Sequence, residues 1–246
     1  MFKFILIAVI LLNCSQIKNK PIQNFWVIWN IGQGQWVTHV TSDHCLHYDV
    51  GGEIGRFNSI KANLIKTCSD KRNHIFLSHW DTDHFIHIPQ LARTFQNVCW
   101  QSQPPLNNKN NAYIRQITSL KIPFCKDPFL KTYPWKPKTG TSSNDLSWVQ
   151  FESGFLLPGD STKSAEKIWS KDFKIISQTK VLVLGHHGSR GSTSAALLNK
   201  LPKLQVAIAS ARKARYGHPH EEVLQRLRKN KTPVLKTEDW GSIWFL

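Results

Sequence analysis

The stretch LSHWDTDHFIHI, residues 77–88, places two aspartates and three histidines within twelve positions. It overlaps the end of the short apolar run HIFL, which has the length and composition of a buried strand. Buried Asp and His side chains are costly unless a partner compensates them. The stretch is therefore either a polar loop rich in histidine or a metal site, and the rest of the sequence has to separate the two.

The motif within this stretch is H-x-D-x-D-H, formed by His79, Asp81, Asp83 and His84. At the end of a strand, alternate residues point to the same side, so positions 79, 81 and 83 converge, and His84 turns inward as the next helix begins. Mixed imidazole and carboxylate ligands suit zinc, manganese or iron ions. Two ligand sets from neighbouring residues are what a two-metal centre requires.

Further acidic and histidine residues follow other apolar segments. Asp160 ends the segment LLPGD, and His186 and His187 follow LVLG. Active sites gather at the carboxyl ends of strands in α/β architectures. Three strand ends with this chemistry favour a metal centre over a histidine-rich loop.

Composition bounds the class of protein and of partner. The chain has 246 residues, 41% of them hydrophobic, with ten Trp and thirteen Phe, which excludes a disordered protein and predicts a packed globular core. The net charge of +16 predicts an anionic partner, either nucleic acid or an anionic membrane surface. The alternative is a charged face that keeps the protein soluble.

The N-terminal segment MFKFILIAVILLNC has the pattern of an export signal. Lys3 precedes an apolar run over residues 4–12, which is too short to span a bilayer and suits a signal-peptide core. Cys14 resembles a bacterial lipoprotein cleavage site, although Asn13 departs from the small residue usual before it. Residues 1–20 are thus predicted to be a signal peptide and lipoprotein-type anchor. Residues 21–246 form the predicted domain, which is exported and membrane-anchored, facing the periplasm or the cell exterior. The alternative is a buried N-terminal strand.

Four cysteines remain once Cys14 is assigned to lipid: Cys45, Cys68, Cys99 and Cys125. An even number in an exported chain allows two disulfides in any of three pairings. No C-x-x-C pair is present in the sequence, which argues against a structural zinc ribbon. Four unpaired thiols are the alternative.

Apolar segments separated by turn residues predict strands along both halves of the chain. The strand segments are NFWVIWNIGQGQWVTHV, CLHYDVGG, HIFLS, SWVQFESGFLLPGD, KVLVLG, LQVAIAS, PVLKT and SIWFL. Helices are predicted from about Ser164 and after GHPH, and residues 101–143 are predicted to form a long surface excursion. Strands in both halves with helices between them predict an α/β sandwich.

Seven segments together carry a family resemblance: WNIGQGQ, YDVGG, LSHWDTDH, SSNDLSWVQF, LLPGD, LGHHGSRGSTS and RYGHPHEEVLQRL. In this order they resemble the metallo-β-lactamase domain of the ComEC competence-protein family, from about residue 25 to the C-terminus. HHGS and YGHPH are the specific part, since H-x-D-x-D-H alone indicates only the superfamily. The resemblance implies a four-layer αββα metallo-β-lactamase sandwich with two metals at the strand ends. It also implies cleavage of DNA phosphodiesters by a stand-alone version of the domain, without the family's membrane channel.

The sequence departs from the family pattern around these motifs. Gln35 and Asn30 stand where aspartates are usual, and Trp80 replaces a small residue or proline. Phe85 and His87 fall where the family has Ile-Gly-Gly, and this change predicts a narrowed or reshaped pocket.

The third-motif histidine of lactamases also has no counterpart, as in the ComEC family. Asn144 and Ser147 occupy that segment. They are predicted to contact the substrate or to act as weak ligands, which would leave one metal loosely bound.

The predicted ligands divide between two divalent cations, Zn²⁺ or Mn²⁺. One cation is assigned His79, Asp81 and His186 (with His187 as the alternative to His186), the other Asp83 and His84, with Asp160 as the bridge. Such cations lower the pKa of a bound water and hold a scissile phosphate between them. Asp83 is therefore counted among the catalytic residues as well.

Three residues beyond the ligands are predicted to act on or near the phosphate. His218 and His220 precede a helix N-terminus, which favours phosphate, and one of them is predicted to protonate the leaving oxygen. The alternative for both histidines is helix capping and packing. Ser189 is predicted to orient His186 or to donate a hydrogen bond to phosphate.

Basic residues are dense near the GHPH segment, with nine Lys or Arg against two Glu over residues 200–231. Arg212, Lys213 and Arg215 are predicted to hold the DNA backbone. Tyr216 or Trp80 is predicted to stack on a base of single-stranded DNA, with core packing as the alternative for both.

The predicted function is an exported, metal-dependent deoxyribonuclease acting on single-stranded DNA or on the duplex backbone. No obligate protein partner is implied. Two alternatives remain: a metallo-hydrolase of a small substrate such as a lactam or thioester, and a non-catalytic DNA-binding lipoprotein whose metal site has decayed. The charge and the HHGS and YGHPH segments oppose the first, and the complete H-x-D-x-D-H opposes the second.

Overall fold

The structure is a computed structural model, and it describes residues 24–106, 111–126, 134–138, 140 and 142–246. The predicted signal segment and its Cys14 lie outside the described residues. Among the residues that are described, none of the helices combines the length and apolar character needed to cross a membrane.

Two sheets contain the strands of the described chain. Their bounds are β1 (Phe25–Ile28), β2 (Val37–Val40), β3 (His44–Tyr48), β4 (Arg72–Phe76), β5 (Val98–Ser102), β6 (Gln150–Glu152), β7 (Phe155–Leu157), β8 (Val181–Val183), β9 (Val206–Ala209), β10 (Val234–Lys236) and β11 (Ile243–Phe245). One sheet has the order β11-β1-β2-β3-β4-β5 and the other β10-β9-β8-β7-β6. Both are mixed, since β3-β4-β5 and β7-β8-β9-β10 run parallel while β1-β2-β3 and β6-β7 are antiparallel.

Helices connect the strands on the outer faces. Their bounds are α1 (Phe57–Cys68), α2 (Thr82–Phe85), α3 (Ile88–Thr94), α4 (Ala112–Ser119), α5 (Lys163–Asp172), α6 (Ala195–Leu198), α7 (Lys213–Tyr216), α8 (Glu221–Lys229) and α9 (Thr237–Trp240), with 3₁₀ helices at Lys174–Gln178 and Gly185–Gly188. Polar side chains cap several of them. Thr162 accepts a hydrogen bond from the backbone N–H of Ala165 at the start of α5, for example.

Three clusters of buried apolar side chains fill the spaces between these layers. Trp29 of the first sheet packs in one cluster with Leu64 of α1, and Leu182 of the second sheet packs in another with Trp169 of α5 and Leu227 of α8. The third cluster contains side chains from both sheets, such as Trp26 and Phe155, whose rings stack with centroids 4.0 Å apart. Helix, sheet, sheet and helix layers follow in that order, which confirms the expected αββα sandwich.

The segment predicted as a surface excursion contains ordered structure in its described part. Helix α4 buries Ile114 and Ile117 in the core of the first sheet. Its N-terminus is capped by Asn111, whose side-chain oxygen accepts from Tyr113 N at 2.9 Å. The composition of this region, rich in Pro and Asn, concealed a helix because only two of its positions are buried.

Two disulfides join the four cysteines of the described chain. Cys45 pairs with Cys68, tying β3 to α1, and Cys99 pairs with Cys125, tying β5 to the chain after α4. This resolves the three pairings left open by the sequence. Disulfides persist in oxidising compartments, so the pairs indicate an extracytoplasmic location.

Candidate metal centre

The predicted ligands gather where strands of both sheets end at the same edge of the sandwich. His79 follows β4, Asp160 follows β7, and the 3₁₀ turn with His186 and His187 follows β8. Because β4 and β8 belong to different sheets, the site lies between the two sheets at their carboxyl ends. All but His186 of these four side chains are at most 3% exposed.

Two glycine turns fix the position of Asp83. Its backbone carbonyl accepts hydrogen bonds from Gln35 N at 3.0 Å and Gly52 N at 2.9 Å. At Gly51, a Cβ atom would lie 1.7 Å from the same carbonyl oxygen, so only glycine permits this approach. The WNIGQGQ and YDVGG segments therefore shape the site through the backbone.

Asp49 orients His84 from behind. The Asp49 carboxylate lies 2.7 Å from His84 Nδ1, through Oδ2, and accepts from Ser78 N at 2.7 Å and Ser78 Oγ at 2.8 Å. Gln35 Nε2 donates to the same Oδ2 at 2.8 Å. A carboxylate on one ring nitrogen of a histidine is the arrangement that fixes its ring for metal binding through the other nitrogen. Sequence reasoning missed Asp49, which lies outside the H-x-D-x-D-H motif.

Asp160 lies at the centre of the cluster, with histidines on both of its oxygens. Oδ1 is 2.9 Å from His84 Nε2 and 3.6 Å from His187 Nε2. Oδ2 is 3.6 Å from His186 Nε2 and 3.9 Å from His79 Nε2. This is the placement of a carboxylate that bridges two ligand sets.

The other two aspartates lie on opposite sides of Asp160, each beside a histidine that faces one of its two oxygens. Asp83 Oδ2 is 3.0 Å from His187 Nε2, and Asp81 Oδ2 is 3.4 Å from His79 Nε2. The sequence treated His186 and His187 as alternatives, but the structure places both at the site, one on each side of Asp160. Both adopt left-handed backbone angles, with φ of 47° and 55°, a costly conformation that is typical of functional sites.

Electrostatics in the cluster favour a cation. Burial alone would lower the pKa of His84, yet the carboxylates of Asp160 and Asp49 raise it well above the usual value. Burial likewise would raise the pKa of Asp160 and of Asp83. The histidines around Asp160 hold its pKa well below the usual range, and the adjacent His187 and the charge of His84 lower that of Asp83. The carboxylates of the cluster therefore stabilise a positive charge, which either a protonated imidazole or a bound divalent ion can supply.

Buried atoms without a hydrogen-bond partner supply the fit test for that ion. In the described part of the chain, His79 Nε2, His84 Nε2, His187 Nε2 and Asp160 Oδ1 are buried, and none of their contacts with the neighbouring ligands has the geometry of a hydrogen bond. Leaving four polar atoms unsatisfied would cost several kcal/mol unless they share a ligand. Ligand atoms of His79, His84 and Asp160 lie within 4.8 Å of one another, as do those of Asp83, His84 and His187. Imidazole and carboxylate donors in this arrangement fit zinc or manganese.

Asn144 and Ser147 support the ligands from one side. Asn144 Nδ2 lies 3.3 Å from His186 Nδ1, and Ser147 Oγ accepts from the backbone N–H of Asp160 at 3.1 Å. Ser143 Oγ donates to Asp81 Oδ2 at 3.0 Å. In the structure Ser147 thus holds the Asp160 backbone, which differs from the predicted role as a weak ligand.

His218 lies beside His186, with ring centroids 5.9 Å apart, and its Nδ1 faces Gln33 Nε2 at 3.0 Å. Burial and the nearby His187 and His186 lower its pKa. His220 is the N-cap of α8, where its Nδ1 accepts from Glu222 N at 3.2 Å, the alternative that the sequence left open. Ser189 Oγ accepts from Gly191 N at 3.3 Å within its own turn.

The predicted DNA-binding residues divide into a paired and an exposed group. Arg212 Nη1 is 2.6 Å from Glu53 Oε2, and an ion pair of this kind competes with phosphate for the guanidinium. Arg215 is more exposed, 3.8 Å from the same oxygen, and packs over the ring of Tyr216, which is itself 43% exposed. The side chain of Lys213 is exposed.

The unusual residues after the motif belong mainly to the core. Phe85 is fully buried in the core of the first sheet, and Trp80 packs against that core and donates to Pro104 O at 2.9 Å. His87 is 1% exposed with Nε2 3.1 Å from Glu53 O, and burial lowers its pKa to about 4. The predicted narrowing of the pocket by Phe85 and His87 is therefore not seen, because both side chains are buried in the interior.

Solved structures share this fold. The metallo-β-lactamase fold protein YhfI from Bacillus subtilis matches with a TM-score of 0.54 and 11% identity, over 91% of this chain and 99% of that one. A diphosphatase of the PhnP family matches with a TM-score of 0.53 and 10% identity, over 90% and 97%. These similarities show the metallo-β-lactamase fold.

Three curated proteins are similar to the chain in sequence, one of them named as a competence protein. Competence protein ComA of Neisseria gonorrhoeae is 27% identical over 223 residues, 89% of this chain and 31% of its own length. Recombination protein 2 of Haemophilus influenzae is 33% identical over 221 residues, 87% and 28%. ComE operon protein 3 of Bacillus subtilis is 33% identical over 115 residues, 46% and 15%. The chain thus spans less than a third of the length of each. No protein-family model matches it.

Proposed function

Because this chain is a homologue of the ComEC-family competence proteins, we propose that it is a two-metal phosphodiesterase that cleaves DNA. The observation that carries the proposal is the set of buried, unpartnered imidazole and carboxylate atoms around Asp160. Two divalent cations bound there, zinc or manganese, would activate a water molecule and offset the charge that develops on a phosphate. We assign each cation three ligands and a shared Asp160: His79, Asp81 and His186 for one, and Asp83, His84 and His187 for the other.

The residues of the chain prepare the site for this chemistry. Asp49 holds the His84 ring so that Nε2 faces Asp160. Asn144 steadies His186 at the more open side, where that imidazole is 32% exposed and a substrate can enter. The burial of His79 and His187 excludes bulk water, which strengthens each charge interaction at the reacting phosphate.

DNA as the substrate is supported by charge and by homology. The net charge of +16 favours a polyanion, and Lys213, Arg215 and Tyr216 leave cationic and aromatic groups exposed beside His218. The competence proteins to which the chain is homologous point to nucleic acid as well.

The decisive experiment combines metal analysis with turnover. The full exported domain would be purified, its zinc and manganese content measured, and single- and double-stranded DNA incubated with Mn²⁺, Mg²⁺ or Zn²⁺. The expected result is about two metals per chain and metal-dependent cleavage that Asp160→Asn abolishes. Turnover of a small lactam or thioester without cleavage of DNA would favour the small-substrate hydrolase. DNA binding without turnover in the metal-loaded protein would favour the non-catalytic receptor.

We further propose that the protein is exported and held at a membrane by a lipid on Cys14. The apolar segment before Cys14 and the two disulfides support export. Cys14→Ser should release the protein from the membrane fraction and remove incorporation of labelled palmitate. Unchanged membrane association would contradict the lipid anchor and leave the proposed hydrolase intact.

A further inference from the structure

The side chain of Gln33, which has no role in the chemistry proposed above, connects the segments that contain Arg212 and His218. It lies in the turn between β1 and β2 and is only 7% exposed. Its Oε1 is 3.2 Å from the backbone N of Arg212, and its Nε2 is 3.0 Å from Nδ1 of His218. The backbone N–H of Gln33 is held in turn by Glu53 Oε1 at 3.3 Å.

The orientation of this amide is fixed by its neighbours. The Arg212 backbone N–H can only donate, so the group facing it must be the Gln33 oxygen. The amide nitrogen is then the group that faces His218. A flipped amide would place two donors against each other at Arg212, so the hydrogen bonds exclude it.

The same reasoning determines which ring nitrogen of His218 carries the proton. An amide nitrogen has hydrogens and no acceptor lone pair, so Gln33 Nε2 can only donate to His218 Nδ1. Nδ1 must therefore be unprotonated, and the single proton of a neutral ring resides on Nε2. A proton on Nδ1 would point directly at the amide hydrogens.

We propose that Gln33 holds His218 as its Nε2–H tautomer, so that His218 presents a fixed hydrogen-bond donor to the phosphate. This replaces the expected role of His218 as an acid, because a neutral imidazole donates a hydrogen bond and retains its proton. Only this last step rests on the proposed function, and the tautomer itself does not.

The surroundings of His218 agree with a donor at this place. Gly188 follows the two histidines of the site, and a Cβ there would lie 2.6 Å from Pro219 Cβ, so glycine allows the His218 segment to approach. The backbone N–H of His220 donates to Gly188 O at 2.8 Å and ties the segments together. Donors placed in advance where charge develops account for much of enzymatic rate acceleration. Gln33 is in this sense a positioning residue.

The test is long-range ¹H–¹⁵N correlation spectroscopy on the full domain labelled with ¹⁵N-histidine, metal-free and with Zn²⁺. His218 would be assigned by the resonance that His218→Gln removes. In the unmodified protein we expect a pyridine-like Nδ1 and a pyrrole-like Nε2 for His218. In Gln33→Glu, a near-isosteric change, the carboxylate still accepts from Arg212 but cannot donate. We expect the His218 proton to move to Nδ1.

His220 provides a control within the same spectrum. Its Nδ1 accepts from a backbone N–H, that of Glu222, so its proton also resides on Nε2 and should remain there in every Gln33 variant. The neutral variant Gln33→Leu should leave His218 with both tautomers populated. A protonated Nδ1 on His218 in the unmodified protein would overturn the proposal, and this measurement requires no folded variant other than the His218→Gln protein used for assignment. An unchanged His218 tautomer in folded Gln33→Glu would overturn it as well.

Turnover provides a separate comparison. Gln33→Glu, which moves the His218 proton off Nε2, should lower kcat for DNA by roughly 10²-fold, the usual effect of losing one transition-state donor, with a much smaller change in Kd. Gln33→Leu leaves part of the His218 population as the Nε2–H tautomer and should therefore lower kcat much less. An effect on Kd alone would overturn the donor role of His218. Absence of DNA turnover even in the unmodified protein, with the Nε2–H tautomer present, would overturn the proposed nuclease and the donor role together, and leave the tautomer assignment standing.

Discussion

Two fully buried histidines, His84 and His47, meet opposite surroundings. His47 lies among neutral partners: Trp36 Nε1 donates to its Nδ1 at 3.2 Å, and its Nε2 is 3.0 Å from Asn73 Oδ1. Burial lowers the pKa of His47 to about 4, and the hydrogen bond to Asn73 only partly opposes this. His84 is equally buried, but its two carboxylate neighbours raise its pKa.

The difference shows which feature marks a metal ligand. Both residues are buried, so burial alone does not identify a metal ligand. His47 has hydrogen-bond partners on both nitrogens and no carboxylate beside it. His84 has Asp49 on one nitrogen and, on the other, an unpartnered Nε2 facing Asp160. A metal ligand is thus recognised by a carboxylate behind the ring and an unsatisfied nitrogen in front of it.

The largest effect is expected when the carboxylate in front of His84 loses its charge. Asp160→Asn should reduce turnover to background and lower metal content, because the bridging charge between the two ligand sets is removed. The fold should persist, as judged by circular dichroism and thermal unfolding, since the hydrophobic cores are untouched. Metal analysis and DNA cleavage are the measurements.

Asp70→Asn, a loss of the same charge at an exposed position after α1, is the matched control and should behave like the unmodified protein. Full metal content together with most of the activity in Asp160→Asn would show that Asp160 does not bridge.

Sequence alone predicted much of the centre and nearly all of the layer order. H-x-D-x-D-H, LLPGD and LGHHGS were recognisable because each places ligand side chains directly after an apolar strand. Asp49 and Gln33 were missed, because each is a single polar residue in a turn and acts only through a partner distant in sequence. Their signal is the glycine beside each of them, Gly51 and Gly34, since glycines mark turns that pack against something.

The errors also have physical causes. Phe85 and His87 were expected in the pocket because their segment stands where the family has Ile-Gly-Gly. Both side chains are instead buried, Phe85 in the core of the first sheet. His186 and His187 were treated as alternatives because two adjacent histidines cannot be told apart from sequence. Their left-handed backbone angles allow both to face Asp160.

The second prediction tests the neutral member of the comparison through pH. The pKa of His47 is about 4 in the folded protein and near 6.5 in the unfolded chain. Between these values the unfolded state binds a proton that the folded state does not, so stability falls as pH drops from 6.5 toward 4. The loss attributable to His47 approaches about 3 kcal/mol at the lower limit.

Urea unfolding between pH 4 and 7.5 measures this loss, with His47→Gln as the comparison. The variant keeps polar atoms but cannot be protonated, so its stability should depend less on pH over this interval. Parallel pH curves for the two proteins would mean that His47 is not held neutral.

The third prediction concerns the carboxylate behind His84. Asp49→Asn should weaken metal affinity about 10- to 100-fold, as is typical when the group that orients a ligating histidine is changed. The His84 ring would lose its fixed orientation while every proposed ligand remains. Competition with a chelator of known affinity, followed in the metal-loaded protein, is the measurement.

Glu152→Gln is the matched control. Glu152 is also a buried carboxylate beside a histidine, 2.9 Å from His39 Nδ1, and it also accepts from a hydroxyl, that of Tyr48. It lies away from the metal ligands, so its loss should reduce stability and leave metal affinity unchanged. Equal losses of affinity in both variants would attribute the Asp49 effect to general destabilisation.

The smallest effect is expected for exposed charges that are not among the proposed metal ligands. Lys213→Ala combined with Arg215→Ala should weaken DNA binding several-fold at moderate salt. The slope of log Kobs against log salt should fall by roughly 0.7 to 0.9 for each lost phosphate contact. Turnover at saturating DNA should change little, because binding energy present equally in the ground and transition states does not lower the barrier. Arg212 is left in place because its ion pair with Glu53, at 2.6 Å, is much shorter than that of Arg215, at 3.8 Å, and its loss would confound the result.

Lys61→Ala combined with Lys66→Ala removes the same charge from the exposed face of α1, outside the proposed DNA path. If the charge acts through net attraction alone, the two double variants will weaken binding equally. If Lys213 and Arg215 touch phosphates, their salt slope will fall while that of the α1 variant stays near the unmodified value. The kcat of the Lys213 and Arg215 variant could instead fall as much as its binding. That result would assign these residues to the chemical step. Buried charges could then no longer be assigned to catalysis and exposed charges to binding.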